Sequence, residues 1–271
     1  MEISPNESEI VELVQSGDRE RVTRYCEQVA AQLDSQDGTY PDTATKRDHL
    51  CRVYLWIWDY RAAALEAERA LQLHRQNGKS VSTDVARCLG YLGRCYLYTN
   101  RPVEAEIALS EALKILDHLP TDEQHARGLV LIEFAEFHRQ SKNFSQAEKL
   151  LHEAAREHLR NFGYGNAHFA FAYLQLSHTF ATQGKFPAAE KTLKKAFRFL
   201  HLAGGADVEP FAFMLRARGK LFAKMNRIDA AREAYRETIE FLQRINKPRH
   251  FLLEDVNGLI NNLAPNAGGG S

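Results

Sequence analysis

The residues of this chain that could bind a metal ion or perform catalysis are its 11 histidines and four cysteines. His152 and His158 are six residues apart, which places them on different faces of one helix, where they cannot bind the same metal ion. The cysteines are Cys26, Cys51, Cys88 and Cys95. They lack zinc-site spacing and lie on apolar helix faces, where a free thiol behaves as a small apolar side chain. With no phosphate loop, metalloprotease motif or nucleophile elbow, the sequence predicts no enzyme, no metal site and no cofactor.

The side chains are instead ordered by a repeat of 42 residues that runs for five cycles. Alanine recurs at Ala63, Ala105, Ala147, Ala189 and Ala231. Twelve residues before each alanine, a second column holds the small residues Cys51, Gly93, Ala135, Ser177 and Gly219. A fixed period in this range is typical of stacked supersecondary units, and small residues on one helix face let two helices approach closely. The pattern predicts a stack of antiparallel helix pairs.

Two segments carry the repeat well, Tyr91–Leu116 and Leu174–Leu200. With a small residue in the first helix and alanines in the second, the repeat resembles the tetratricopeptide repeat (TPR). Its length is similar to the long variant found in kinesin light chain and bacterial TPR proteins. The resemblance implies an all-α, right-handed superhelical solenoid of antiparallel helix pairs with capping helices at both ends. Arg218 departs from the pattern, because its column otherwise holds Leu50, Leu92, Phe134 and Leu176.

The repeat divides the chain into four segments. Residues 1–42 are predicted to form an atypical helical pair that caps the N-terminus, and residues 43–248 the five repeats. Residues 249–263 are predicted to form a C-terminal capping helix, because their apolar residues share one side. Residues 264–271 end in Gly-Gly-Gly-Ser and are predicted to be a disordered tail.

The resemblance also implies that the first helix of each pair lines a concave groove. On that basis, five apolar residues form a patch in the groove and five cations border it. The apolar residues are Leu129, Ile132, Phe171, Leu174 and Phe213, and the cations are Arg52, Arg94, Arg139, Arg216 and Lys220. Such a surface suits a peptide or protein partner that is apolar and acidic. The alternative is that the apolar residues pack against neighbouring helices and that the arginine stems cover apolar surface.

Charge and composition narrow the classes of partner. The formal net charge is zero, which argues against general nucleic-acid binding. The segment from Met1 to Asp84 carries a net charge of −5, whereas Lys185 to His250 carries +8. This asymmetry is explained either by solvated helix faces or by ends that suit different partners, including head-to-tail self-association. We expect a cytoplasmic protein, since no apolar signal follows Met1, no run is long enough to span a membrane, and the thiols suit a reducing compartment.

The function that follows is a non-catalytic scaffold that binds a peptide or helix of a partner protein in its groove. The alternative is a peptide-sensing signalling receptor that changes shape when its ligand binds.

Overall fold

The computed structural model describes residues 17–35, 42–163, 167–204, 210–247 and 250–263. Residues 1–16 of the predicted N-terminal cap and the predicted tail, 264–271, lie outside these ranges. Within them, regular structure consists of helices and one isolated backbone bridge between Asp18 and His250. The helices are α1 (Arg19–Ser35), α2 (Thr43–Trp56), α3 (Tyr60–Gln76), α4 (Thr83–Tyr98), α5 (Pro102–Asp117), a 3₁₀ turn (Thr121–Glu123), α6 (Arg127–Gln140), α7 (Phe144–Phe162), α8 (Ala167–Thr182), α9 (Phe186–Leu202), α10 (Pro210–Lys224), α11 (Ile228–Arg244) and α12 (Phe251–Asn261). The predicted all-α repeat solenoid is confirmed.

The starts of the second helices repeat every 42 residues. The second helices of the five pairs begin at Tyr60, Pro102, Phe144, Phe186 and Ile228. The turns before them each contain one residue with left-handed backbone: Trp58, Asn100, Lys142, Gly184 and Asn226. Glycine and asparagine adopt this conformation most readily, so Trp58 and Lys142, with φ of 62° and 61°, hold less favourable backbone. The sequence period therefore fixes both the start of each second helix and the shape of the turn before it.

The chain divides into two compact units, Arg19–Asn161 (the N-terminal unit) and Phe162–Ser271 with Met1–Asp18 (the C-terminal unit). In the N-terminal unit, Ala63, Ala105 and Ala147 are fully buried. Gly93 of α4 faces Leu109 of α5 so closely that an added Cβ would lie 2.5 Å from Leu109 Cγ. The small-residue column thus marks where the two helices of a pair approach most closely.

The C-terminal unit shows the same close approach. A Cβ on Gly219 of α10 would lie 2.3 Å from the ring of Tyr235 in α11. Ser177 of α8 is buried and donates a 2.8 Å hydrogen bond to the Ala189 carbonyl of α9, so its hydroxyl has a partner in the core. At Gly93, Ser177 and Gly219, the small-residue column thus places a small side chain, or none, against the second helix of the pair.

Helix α12 covers part of the C-terminal unit with its apolar side. Phe251, Leu252 and Val256 are buried, and Val256 packs with Tyr235 of α11. The Phe251 amide donates a 2.9 Å hydrogen bond to the Gly17 carbonyl, which joins the start of the described chain to this helix. None of the described helices combines the length and apolar character that crossing a bilayer requires.

Candidate functional site

The described residues hold no group of three or more histidines, cysteines or acids placed to bind a metal ion. All four cysteines are buried and free. Burial raises the pKa of Cys26 and Cys95 to about 12 and that of Cys51 well above its usual value. A protonated thiol is a poor nucleophile, so these side chains act as packing residues.

Two of the residues predicted to line the groove are core residues. Ile132 is 3% exposed and Leu174 is 4% exposed. Leu174 belongs to a buried cluster that also contains Leu193 and Leu221. The prediction that these two side chains offer surface to a partner is wrong, because a first helix in a stacked array is packed on more than one of its faces. Helix α6 shows this directly, since its buried residues include the consecutive run from Val130 to Glu133.

In the N-terminal unit, two of the predicted groove cations are engaged by buried acids. Arg139 donates from Nε to Glu136 Oε2 at 2.9 Å and from Nη2 to the same oxygen at 2.6 Å. Arg94 Nη1 lies 3.7 Å from Glu133 Oε1. Glu133 and Glu136 are both buried. These contacts neutralise Arg94 and Arg139 from within, whereas Arg52 is exposed and Leu129 is partly exposed.

The same unit contains an aromatic–ionic cluster, which we define as Tyr60, Arg94, Tyr98 and Glu133. The Tyr60 and Tyr98 rings stack with centroids 4.4 Å apart and planes 8° from parallel. The Arg94 guanidinium carbon lies 6.0 Å from the Tyr60 centroid. Burial raises the pKa of Glu133 to about 7, although Arg94 opposes the shift. Tyr98 keeps 49% of its surface exposed, so the cluster presents one aromatic side chain to solvent.

Sequence reasoning missed Tyr60 and Glu133 as members of this cluster. Tyr98 ends the first helix α4, whereas Tyr60 begins the second helix α3 of the preceding pair. The two positions are 38 residues apart, four fewer than the repeat, and the start of one pair's second helix meets the end of the next pair's first helix there. A search for aromatic residues at this spacing would have found the pair.

In the C-terminal unit, the predicted groove residues are mostly engaged by neighbours. Phe171 is partly buried against the cluster that contains Leu174. The Phe213 ring lies 6.4 Å from His250 and 6.2 Å from Phe251, measured between ring centroids.

The cations of this unit are similarly occupied. Arg216 of α10 donates from Nη2 to Asp255 Oδ1 of α12 at 3.0 Å. Lys220 is partly buried, and burial followed by repulsion from Arg216 lowers its pKa. The surface that the sequence predicted is therefore reduced to the exposed Arg52 and a few partly exposed side chains.

Comparison with known proteins identifies the repeat. A family model described as the MalT-like TPR region matches residues 94–259. The HTH-type transcriptional regulator MalT of Yersinia enterocolitica serotype O:8 is 31% identical over 143 residues, which are 52% of this chain and 15% of the regulator. The chain thus spans about 15% of the length of the curated relatives it matches.

Two solved structures share the fold. A Rap protein complexed with competence and sporulation factor aligns with a TM-score of 0.61 at 12% identity, over 90% of this chain and 71% of that one. A protein of Podospora anserina assigned as a kinesin light chain, with nearly identical TPR-like repeats, aligns with a TM-score of 0.54 at 13% identity, over 76% and 98% of the two chains. The predicted relationship to TPR proteins is confirmed.

Proposed function

Because this chain belongs to the family of MalT-like TPR regions, we propose that it is a non-catalytic scaffold whose first helices bind a peptide or helix of a partner protein. The TPR-like fold suggests a protein-interaction scaffold, and the aromatic–ionic cluster of the N-terminal unit is the observation that carries the finer proposal. The relatives' role in transcription is not transferred, because the chain corresponds to a small part of their length.

Tyr98 has the properties of an anchor for a partner. Its ring is held by stacking on Tyr60, so little conformational freedom remains to be lost when a partner binds. Half of its surface is exposed, and Arg94 and Glu133 lie close by. Tyrosine and arginine are enriched among the residues that contribute most of the binding energy at protein interfaces. We therefore place an apolar side chain of the partner on Tyr98.

The remaining predicted site residues take unequal parts in this proposal. Within the N-terminal unit, Leu129 and Arg52 would extend the contact. Within the C-terminal unit, Phe171, Phe213 and Lys220 would form a contact surface of their own. Because Arg94, Arg139 and Arg216 already contact acids of this chain, the partner needs fewer acidic residues than the sequence suggested. A cytoplasmic location is proposed with this function, since four free buried thiols suit a reducing compartment.

The proposal is tested by selecting peptides from a displayed random library against the intact chain. Tyr98→Ala should weaken the selected peptides at least about fivefold if Tyr98 is a hot spot. Val103→Ala is the matched control, because Val103 is also an exposed apolar residue but lies on the second helix α5. Equal affinity of Tyr98→Ala and the parent chain, or an equal loss in Val103→Ala, would refute binding by the first helices. Thermal unfolding of both variants establishes that the fold is intact.

A second candidate is a peptide-sensing receptor, and the likeness to the Rap protein complexed with competence and sporulation factor favours it. A receptor of this kind changes shape on binding, whereas a scaffold keeps one shape. Small-angle scattering with and without a selected peptide separates the two. A change in radius of gyration supports the receptor, and unchanged scattering at saturation supports the scaffold.

A further inference from the structure

The second helix α9 carries an uninterrupted basic face in the C-terminal unit. Lys191, Lys194, Lys195 and Arg198 are all exposed. Their spacings of three, four and seven residues place them on one side of the helix. Leu202, which is 58% exposed, follows Arg198 by four residues and extends the same side. This basic strip spans about 10 Å along the helix axis.

The cations of the basic strip have few internal partners. Among the described residues, Lys191, Lys195 and Arg198 form no ion pair, and Lys194 approaches Glu190 at 3.7 Å. An exposed contact of that length contributes little. Like charges three and four residues apart also repel one another and destabilise a helix by a few tenths of a kcal/mol per pair. Stability of the helix therefore does not explain the strip.

The repeat does not explain the strip either. The residues at the same four repeat positions of the other second helices are Leu65, Glu68, Arg69 and Gln72 in α3; Ile107, Ser110, Glu111 and Lys114 in α5; Lys149, His152, Glu153 and Arg156 in α7; and Glu233, Arg236, Glu237 and Glu240 in α11. Every one of these sets includes at least one acidic residue. Packing of a second helix thus accepts mixed charge here, and only α9 has four cations.

A pocket opens beside the basic strip. It has a volume of about 330 Å³ and is lined by Leu193, Phe197 and Phe222 with Glu190, Lys194 and Arg218 at its border. A neighbouring pocket of about 390 Å³ shares Phe197 and Arg218. Arg218, the residue that breaks the apolar column of the repeat, lines both pockets. Its guanidinium forms an ion pair with Glu237, and its Cζ lies 5.8 Å from the centroid of the Phe197 ring.

We propose that the basic strip of α9 binds an acidic segment of a partner polypeptide, with one apolar side chain of that segment in the pocket beside Phe197. Four exposed cations without strong internal partners attract a negatively charged partner. The pocket supplies an apolar anchor point next to them. The pocket is lined by the apolar side chains of Leu193, Phe197 and Phe222, which suit an apolar side chain of a polypeptide. This surface lies on a second helix and is separate from the first-helix site.

The test uses the intact chain and a short fluorescein-labelled peptide that is rich in glutamate and has one central tryptophan. Fluorescence anisotropy at low ionic strength measures its affinity. Lys191→Glu/Arg198→Glu should weaken binding about tenfold or more, since each reversal turns an attraction into a repulsion. The matched control is Lys149→Glu/Arg156→Glu, which makes the same changes at the same repeat positions of α7. Those two residues are also exposed and form no ion pair in the described part of the chain.

Three further measurements complete the test. The same peptide with alanine in place of tryptophan should bind more weakly, because it leaves the pocket empty. Binding should also weaken as salt is added. No binding of the tryptophan peptide, equal losses in the two charge-reversal variants, or tighter binding of a single-stranded DNA of equal charge would each overturn the proposal. Retained binding in Tyr98→Ala shows that the measured site is not the first-helix site.

Discussion

The close approach of α4 and α5 leads to a prediction in which two glycine substitutions have opposite effects. Leu109 is fully buried, and its Cγ and Cδ2 would lie 2.5 and 2.6 Å from a Cβ placed on Gly93. Gly93→Leu adds further carbons to this contact, so overpacking should cost about 1–3 kcal/mol, near the upper end. Replacing glycine inside a helix returns about 1 kcal/mol. The expected net result is a loss of about 2 kcal/mol in the free energy of unfolding.

Gly258→Ala in α12 is the control, because a Cβ on Gly258 meets no other atom within 4 Å. It should raise the free energy of unfolding by up to about 1 kcal/mol through helix propensity alone. Urea unfolding followed by circular dichroism measures both variants, and an unchanged slope shows that the shift in midpoint reports stability. A midpoint for Gly93→Leu at or above that of the parent chain would show that α4 and α5 do not approach as closely as described.

The other predictions concern a buried acid, the C-terminal helix and one groove residue. Burial raises the folded-state pKa of Glu133 from 4.5 to about 7. The free energy of unfolding of the parent chain should therefore fall by up to about 3 kcal/mol as the pH rises across that window, whereas that of Glu133→Gln should not. Urea unfolding at several pH values measures both chains, and an equal pH dependence of the two free energies would contradict the prediction. Truncation after Lys247 removes α12 and should lower stability and promote self-association, and a truncated chain that sediments as a monomer with the parent melting temperature would contradict the capping role. Phe171→Ala should cost about 2 kcal/mol, less than a fully buried phenylalanine, because the ring is only partly buried. A loss of about 3–5 kcal/mol in the free energy of unfolding, with no separate loss of peptide binding by the folded fraction, would place Phe171 in the core and remove it from the site.

Most of the fold could be predicted because its determinants are local and periodic. The small residue at Gly93 or Gly219 and the fully buried alanine column belong to helices of fixed geometry, so a spacing in sequence becomes a spacing in space. The turn residues, including Asn100 and Asn226, recur at the same interval and carry the left-handed conformation that ends one helix and begins the next.

The candidate site could be predicted only in part, because burial depends on contacts between helices. A repeat position indicates which way a side chain points, yet Ile132 and Leu174 are buried in the folded chain. Charge is decided in the same way. Arg94 and Arg216 look free in the sequence, but folding places an acid of another helix against each of them. Arg139 instead pairs with Glu136, three residues earlier in the same helix, which the sequence spacing allows.

The sequence by itself thus determined the repeat, the pairing of the helices and the positive net charge of the segment from Lys185 to His250. The first two follow from residues close together in one helix, where separation along the chain sets distance and direction. Only the tertiary structure decided that Tyr60 stacks on Tyr98, that Glu133 is buried beside Arg94, and that Phe197 and Arg218 border a pocket. These contacts join separate helices, and the distances between such helices depend on the packing of every side chain between them.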